Sequence, residues 1–267
     1  MTTDLIRKAK DIKIIFFDID DTLRVKKTGY LPASIKEVFK KLKAIGIKTG
    51  IATGRSYFGV VDEIKELDPD YFVTVNGAHV QDKNHEEIYK NPLPKDLIED
   101  IITWSDTEKI GYTFVAKDNV VVNEWNDLTE ESLVPIYGKL DTDEKYYQKD
   151  DIYQMLTMTK RDVDDTLPEH LKDKIRLVRW HEYSSDVVLA EGNKAEGVSK
   201  VLEKLNLEPS NLLVFGDELN DREIFDLAQI AVAMEVSHPE IKEKADLITD
   251  KVEEDGIKNA LEKLEII

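Results

Sequence analysis

Apolar positions along the chain fall into two alternating rhythms. Lys13 to Ile19 (KIIFFDI) is an apolar run rich in β-branched and aromatic residues, which predicts a strand covered on both faces and closing on acidic residues. Ile35, Val38, Phe39, Leu42 and Ile45 then recur at three- and four-residue spacing, the stripe of an amphipathic helix with Ser34 as its expected N-cap and Gly46 as its stop. Ile47 to Thr53 reads as a second strand. Val60, Ile64 and Leu67 mark one side of a second helix, and Tyr71 to Val75 a third strand after Pro69. Strand, helix, strand, helix, strand at this spacing predicts a parallel sheet with right-handed crossovers. The same grammar returns late in the chain. Val198, Val201, Leu202 and Leu205 mark a helix, while Leu212 to Phe215 and Ile230 to Met234 read as strands around a helix with Ile224 and Phe225. Asp246 to Thr249 reads as a short last strand, followed by a helix carrying Ile257, Leu261 and Leu264.

Residues 84 to 189 break this rhythm with long polar turns and alternating runs such as YTFVAKDNVVV and YQMLTMT. They read as a separate α+β module inserted into an α/β domain formed by residues 1–83 and 190–267.

Composition changes this picture little. With 41% hydrophobic and 34% charged residues, 12 Gly and 8 Pro, the 267-residue chain has the make-up of a globular protein able to bury one large or two modest cores. The absence of cysteine removes disulfides, thiolate metal sites and thiol nucleophiles, and fits a reducing compartment. The first ten residues lack a secretory apolar stretch and the longest apolar runs are far too short to cross a bilayer, so the expectation is a cytoplasmic protein with no membrane partner. A formal net charge of −18 opposes nucleic acid as a partner. It leaves room for a small anionic substrate, because screening over about 8 Å gives the nearest charges control, provided that the site supplies local cations.

Ligands of open parallel sheets collect beyond the carboxyl ends of the strands. The first strand ends in Asp18-Ile19-Asp20-Asp21-Thr22-Leu23, and in extended backbone Asp18 and Asp20 face one side. Two carboxyl groups so placed repel as anions and favour a shared proton or a divalent cation. The second strand ends in Thr53-Gly54-Arg55, a hydroxyl and an unhindered backbone N–H expected directly before a helix N-terminus, which together would cradle an anion. The strand Leu212 to Phe215 runs into Gly216-Asp217-Glu218-Leu219-Asn220-Asp221, and Lys194 precedes a core helix at the same edge.

In this order the segments DIDDTL, TGR, NKAEG and GDELND resemble the four signature motifs of the haloacid dehalogenase superfamily, and GDELNDREIFDLAQIAVAM together with VNGA (Val75 to Ala78) is similar to its Cof-like sugar-phosphatase branch. The resemblance implies a Rossmann-like parallel-sheet core with the insert as an α/β cap that sets substrate specificity. The insert follows the third strand, unlike the β-phosphoglucomutase and phosphonatase branches, whose caps lie between the first two motifs. It implies a Mg²⁺-dependent phosphatase of small phosphorylated metabolites, sugar phosphates in particular, acting as a monomer or weak homo-oligomer. Asp18 would be the nucleophile and Asp20 the acid and base; Thr53, Gly54 and Lys194 would hold the phosphoryl oxygens. Arg55 and Asn220 would meet substrate or phosphate. Asp18, the Asp20 carbonyl and Asp217 would bind the metal, with Asp221 orienting its shell.

Two positions depart from the branch pattern. Asp21 stands where most Cof-like sequences have Gly, and Glu218-Leu219 where small residues are commoner. Asn76 reads either as a phosphate-binding residue or, ahead of that, as a turn residue beside Gly77. The five histidines show no metal-ligand spacing, and Trp180 reads as a fold-supporting aromatic. Two other readings remain open: a phosphomutase or phosphotransferase using the same aspartyl-phosphate, and a non-catalytic metal-binding regulatory protein.

Overall fold

The structure, a computed structural model, describes residues 3–160 and 163–267. The chain begins with helix α1 (Thr3–Ala9), strand β1 (Ile14–Phe17), α2 (Ala33–Ala44), β2 (Lys48–Ala52), α3 (Asp62–Lys65), β3 (Tyr71–Thr74), β4 (His79–Asp82) and β5 (Glu87–Lys90). It continues through α4 (Lys95–Glu108), β6 (Gly111–Val115), β7 (Val120–Val122), α5 (Asp127–Tyr137), β8 (Asp141–Thr142), β9 (Gln154–Met158), α6 (Glu169–Lys172), β10 (Ile175–His181) and β11 (Ser184–Leu189). It ends with α7 (Lys194–Leu205), β12 (Leu212–Gly216), α8 (Arg222–Leu227), β13 (Ile230–Ala233), α9 (Pro239–Lys244), β14 (Leu247–Ile248) and α10 (Gly256–Lys263). The described residues fall into two compact units, one within Met1–Gly54, Val61–Lys90 and Asn193–Ile267, the other within Arg55–Val60 and Asn91–Gly192.

The first unit is built on an eight-stranded sheet of order β14-β13-β12-β1-β2-β3-β4-β5. Pairing is parallel from β14 to β3 and antiparallel at β4 and β5. The apolar run of β1 is buried at every position, the burial expected of a strand with helices on both faces. Ile14 and Phe16 point into a cluster with Val198, Val201 and Leu202 of α7 and Ile224 and Phe225 of α8. Phe17 turns the other way, 5.1 Å from the Phe39 ring of α2 and 5.3 Å from that of Phe215.

Local details differ from the sequence expectation in three places. Helix α2 starts at Ala33 behind Pro32, whose ring fixes the backbone at the helix entry. Ser34 therefore lies inside the first turn, caps nothing, and donates its hydroxyl to Asp255 Oδ1 at 2.5 Å. No helix follows Thr53-Gly54-Arg55 directly: residues 55–60 form turns, closed by Gly59 N–H to Ser56 O at 2.9 Å, and α3 begins only at Asp62. Strands β4 and β5 carry the chain through Lys90 inside the first unit.

The second unit is a six-stranded sheet of order β10-β11-β9-β6-β7-β8, antiparallel except between β7 and β8. Helix α4 packs Leu97, Ile98, Ile101 and Trp104 against Tyr112, Phe114, Met155 and Val187. Leu133 of α5 joins Val115, Val120, Val122, Leu156 and Met158. The 55–60 segment belongs to this unit: Phe58 stacks on Tyr137 at 6.1 Å and donates its N–H to Lys117 O at 3.3 Å. No described helix is long and apolar enough to cross a membrane.

Candidate active site

Register alone gathers the functional residues of the first unit. Phe17 pairs with Phe215 on one side and with Ile51 on the other, so the next steps of the three strands bring Asp18, Gly216-Asp217 and Ala52-Thr53 to one rim. Asp18 keeps the ladder going with its N–H to Phe215 O at 3.0 Å. Helix α7 begins at the same rim. Asn193 caps it through Oδ1, which accepts from Glu196 N at 3.1 Å, and this fixes Lys194 as the first helical residue.

Lys194 is fully buried, and its Nζ reaches Asp221 Oδ1 at 2.8 Å and Asp18 Oδ2 at 3.2 Å. Asp221 Oδ2 accepts the backbone N–H groups of Asp217 at 3.0 Å and Glu218 at 3.2 Å, so this carboxylate is spent on the lysine and on its own loop. Thr22 donates its hydroxyl to Asp217 Oδ1 at 2.6 Å. Among the described residues, carboxylate oxygens of Asp18, Asp217 and Asp221 lie within 4.8 Å of one another.

Three buried carboxyl groups face one ammonium, and the imbalance appears in their proton affinities. Burial, opposed by Lys194 and reinforced by the Asp221 and Asp20 charges, lifts Asp18 to about 7. Burial and the charges of Asp18 and Asp221 push Asp217 to about 9. Burial works against the Lys194 charge, yet Asp18 and Asp221 hold its proton above the ordinary lysine value. An all-oxygen donor set with excess negative charge fits a hard divalent cation, which would relieve the repulsion that protons otherwise relieve.

Asp20 is half-exposed, outside that buried trio, and its backbone bridges to Arg24 while Asp21 N–H bonds Arg24 O at 2.7 Å. Asp21 itself sits at φ +58°, the left-handed region where Gly is cost-free and Asp among the better alternatives, and its Oδ1 accepts Lys26 N–H at 2.8 Å. That accounts for the departure at this position: the loop keeps a glycine-type backbone with a different residue.

Thr53 is buried; its N–H bonds Val73 O at 2.9 Å and its carbonyl accepts from Asn76 N at 3.0 Å. Asn76 Oδ1 in turn accepts from Asn220 Nδ2 at 3.0 Å. Arg55 belongs to the second unit, where Nη1 donates to Gly59 O at 2.9 Å. The structure thus brings together Asp18, Lys194, Asp217 and Asp221, and sets Thr53, Gly54 and Asn220 around Asn76. Thr22 and Asn76 are the two participants that sequence reasoning did not select. The signal for Asn76 was present: an Asn-Gly pair directly after a strand that ends at the rim.

A family model for haloacid dehalogenase-like hydrolases matches residues 15–261. A Streptococcus pyogenes protein provisionally named a bifunctional phosphatase/peptidyl-prolyl cis-trans isomerase is 49% identical over 267 residues, all of this chain but 57% of that protein, so the chain spans little more than half of this relative's length. Bacillus subtilis YkrA, provisionally named a phosphatase, is 35% identical over 261 residues, 96% of this chain and 99% of its own. The solved structure of the HAD subclass IIB sugar phosphatase BT4131 is 26% identical with a TM-score of 0.82, over 96% of this chain and 100% of that one. The chain therefore belongs to the haloacid dehalogenase-like hydrolase family, in the Cof-like branch that its motifs resemble.

Proposed function

We propose that the chain is a Mg²⁺-dependent phosphatase that hydrolyses small phosphomonoesters, sugar phosphates foremost, through a phosphoaspartate on Asp18. The observation that carries this reading is the buried convergence of Asp18, Lys194, Asp217 and Asp221 at one sheet rim. The phosphatase names of the relatives and the sugar-phosphatase neighbour support it.

An Asp18 carboxylate oxygen attacks phosphorus, and the bond from phosphorus to the ester oxygen breaks. Asp20 gives its proton to that leaving oxygen, then takes a proton from the water that attacks the phosphoaspartate. This second displacement frees inorganic phosphate and restores Asp18. Lys194, the Thr53 hydroxyl and the Gly54 N–H hold the transferring oxygens, where preorganised donors act most strongly. Asp18, the Asp20 carbonyl and Asp217 would hold Mg²⁺, with Asp221 fixing the loop behind them. Bound there, the ion neutralises charge on the carboxylates and on the phosphoryl group. The inserted segment, residues 84–189 in the sequence reading, acts as the cap that selects the leaving group, and Arg55 is assigned to substrate contact on its motif alone.

The test is hydrolysis of p-nitrophenyl phosphate and a panel of sugar phosphates with and without Mg²⁺. Turnover is expected only with the metal and falls at least about a thousandfold in Asp18→Asn, with the melting temperature of the variant confirming its fold. Equal turnover in chelator, or an active folded Asp18→Asn, would overturn the reading.

A further inference from the structure

The loop after β1 sets a cation beside Asp20. Arg24 donates its N–H to Ile19 O at 2.9 Å and its carbonyl accepts from Asp21 N at 2.7 Å, which makes Asp20 and Arg24 partners in a parallel bridge. Partners in such a bridge send their side chains to the same face, so the guanidinium leaves the loop on the side of the Asp20 carboxyl group. The turn that follows gives it a seat. Gly29, at φ +72°, closes that turn with its N–H on Val25 O at 2.8 Å, and a Cβ there would stand 2.4 Å from Arg24 Nη2. The guanidinium thus lies directly on a glycine, where any side chain would push it aside.

What this guanidinium lacks is an anion. Those of Arg7, Arg55, Arg176 and Arg179 donate to carboxylate or carbonyl oxygens, whereas that of Arg24, a half-buried residue, has no hydrogen bond or ion pair among the described residues. Acidic residues outnumber lysine and arginine 55 to 37 in this chain, so the missing partner does not reflect a shortage of carboxylates. A planar fork of donors matches a carboxylate or phosphate group, and leaving it partly desolvated and unmatched costs free energy. Lys26 and Lys27, exposed on the same turn, add charge of the same sign, while Lys194 is committed to Asp18 and Asp221. We infer, resting on the phosphatase reading, that Arg24 is a specificity-determining residue: it receives a second anionic group, carboxylate or phosphate, on the leaving group that Asp20 protonates. The site then favours phosphomonoesters that carry a further negative charge, whatever their carbon skeleton.

The test uses esters of one three-carbon chain at equal free Mg²⁺: propyl phosphate, 3-phosphooxypropanoate and 1,3-propanediol bisphosphate. The wild type is expected to favour at least one of the two charged esters over propyl phosphate by about tenfold in kcat/KM, and the one favoured tells carboxylate from phosphate as the second group. Arg24→Leu is expected to bring that ratio below about threefold, the loss falling on KM for the charged esters. Arg24→Lys is expected to recover part of the ratio, because the ammonium keeps the charge without the fork. A wild type without preference, a folded Arg24→Leu that keeps it, or an equal loss with every ester, the mark of a purely structural arginine, would overturn the inference. Should Arg24→Leu fail to fold, Arg24→Gln decides: a preference lost with the charge supports the inference, and one retained counts against it. Wild-type turnover of none of these esters nor of p-nitrophenyl phosphate would sink the phosphatase reading itself, an outcome distinct from turnover without preference.

Discussion

At the scale of single residues the site is a problem of buried charge. Lys194 is fully buried and answers two carboxylates at once, and removing one partner of a buried ion pair strands the others. Lys194→Met is therefore expected to destabilise the metal-free protein by about 3–5 kcal/mol in urea unfolding, and to lower turnover by at least about a hundredfold. A loss within about 0.5 kcal/mol would mean that Asp18 and Asp221 do not depend on the lysine. The positions of Asp18, Asp217 and Lys194 were legible in the sequence because each sits at a strand end or helix start, where periodicity locates it within a residue or two. The side-chain contacts of Thr22 and Asn76 were not, since they join partners 195 and 144 residues away in the chain, Asp217 and Asn220.

At the scale of elements, the helices with a clear apolar stripe and the strands with continuous apolar runs stand where the pattern put them. Helix α2 buries Ile35, Val38, Phe39 and Leu42 from that stripe. Phe39 supports Phe17, the residue immediately before Asp18, so a cavity there reaches the site through one ring contact. Phe39→Ala is expected to cost about 3–5 kcal/mol in chemical denaturation. Elements whose burial does not follow an apolar pattern escaped notice. In β4, His79, Val80 and Gln81 are all buried, two of them polar, while β5 is a half-exposed edge. Helix α1 spans only 7 residues, too short for a periodic signal. The expected helix after Arg55 failed because residues 55–60 pack with the second unit, a tertiary preference that local periodicity cannot carry.

At the scale of the whole molecule, a chain of net charge −18 concentrates three of its carboxyl groups, buried, around one lysine, and pH should report the strain. Asp18 and Asp217 hold their protons up to about 7 and about 9, above the ordinary 3.8, so between about 4 and 9 the folded metal-free protein binds more protons than the unfolded chain. That stabilising contribution is full below the unfolded value and is lost as pH rises through the folded ones. Without metal, the midpoint of urea unfolding is expected to fall from pH 5 to pH 9. Saturating Mg²⁺ should restore it, releasing about one proton per ion at pH 8 in calorimetry repeated in two buffers. Uptake of the ion with no proton release would place it elsewhere than on these carboxylates. The fold class and the two-part organisation follow from alternating rhythm, which is a property of long stretches and so survives errors at individual boundaries.

The central claim is covalent chemistry at one oxygen of Asp18. It is tested most directly by quenching the enzyme in acid during turnover of a ³²P-labelled substrate with Mg²⁺ and mapping the labelled peptide. A hydroxylamine-sensitive phosphoryl group on Asp18, absent from Asp18→Asn, is the expected result; rapid turnover with the label on another residue would contradict it.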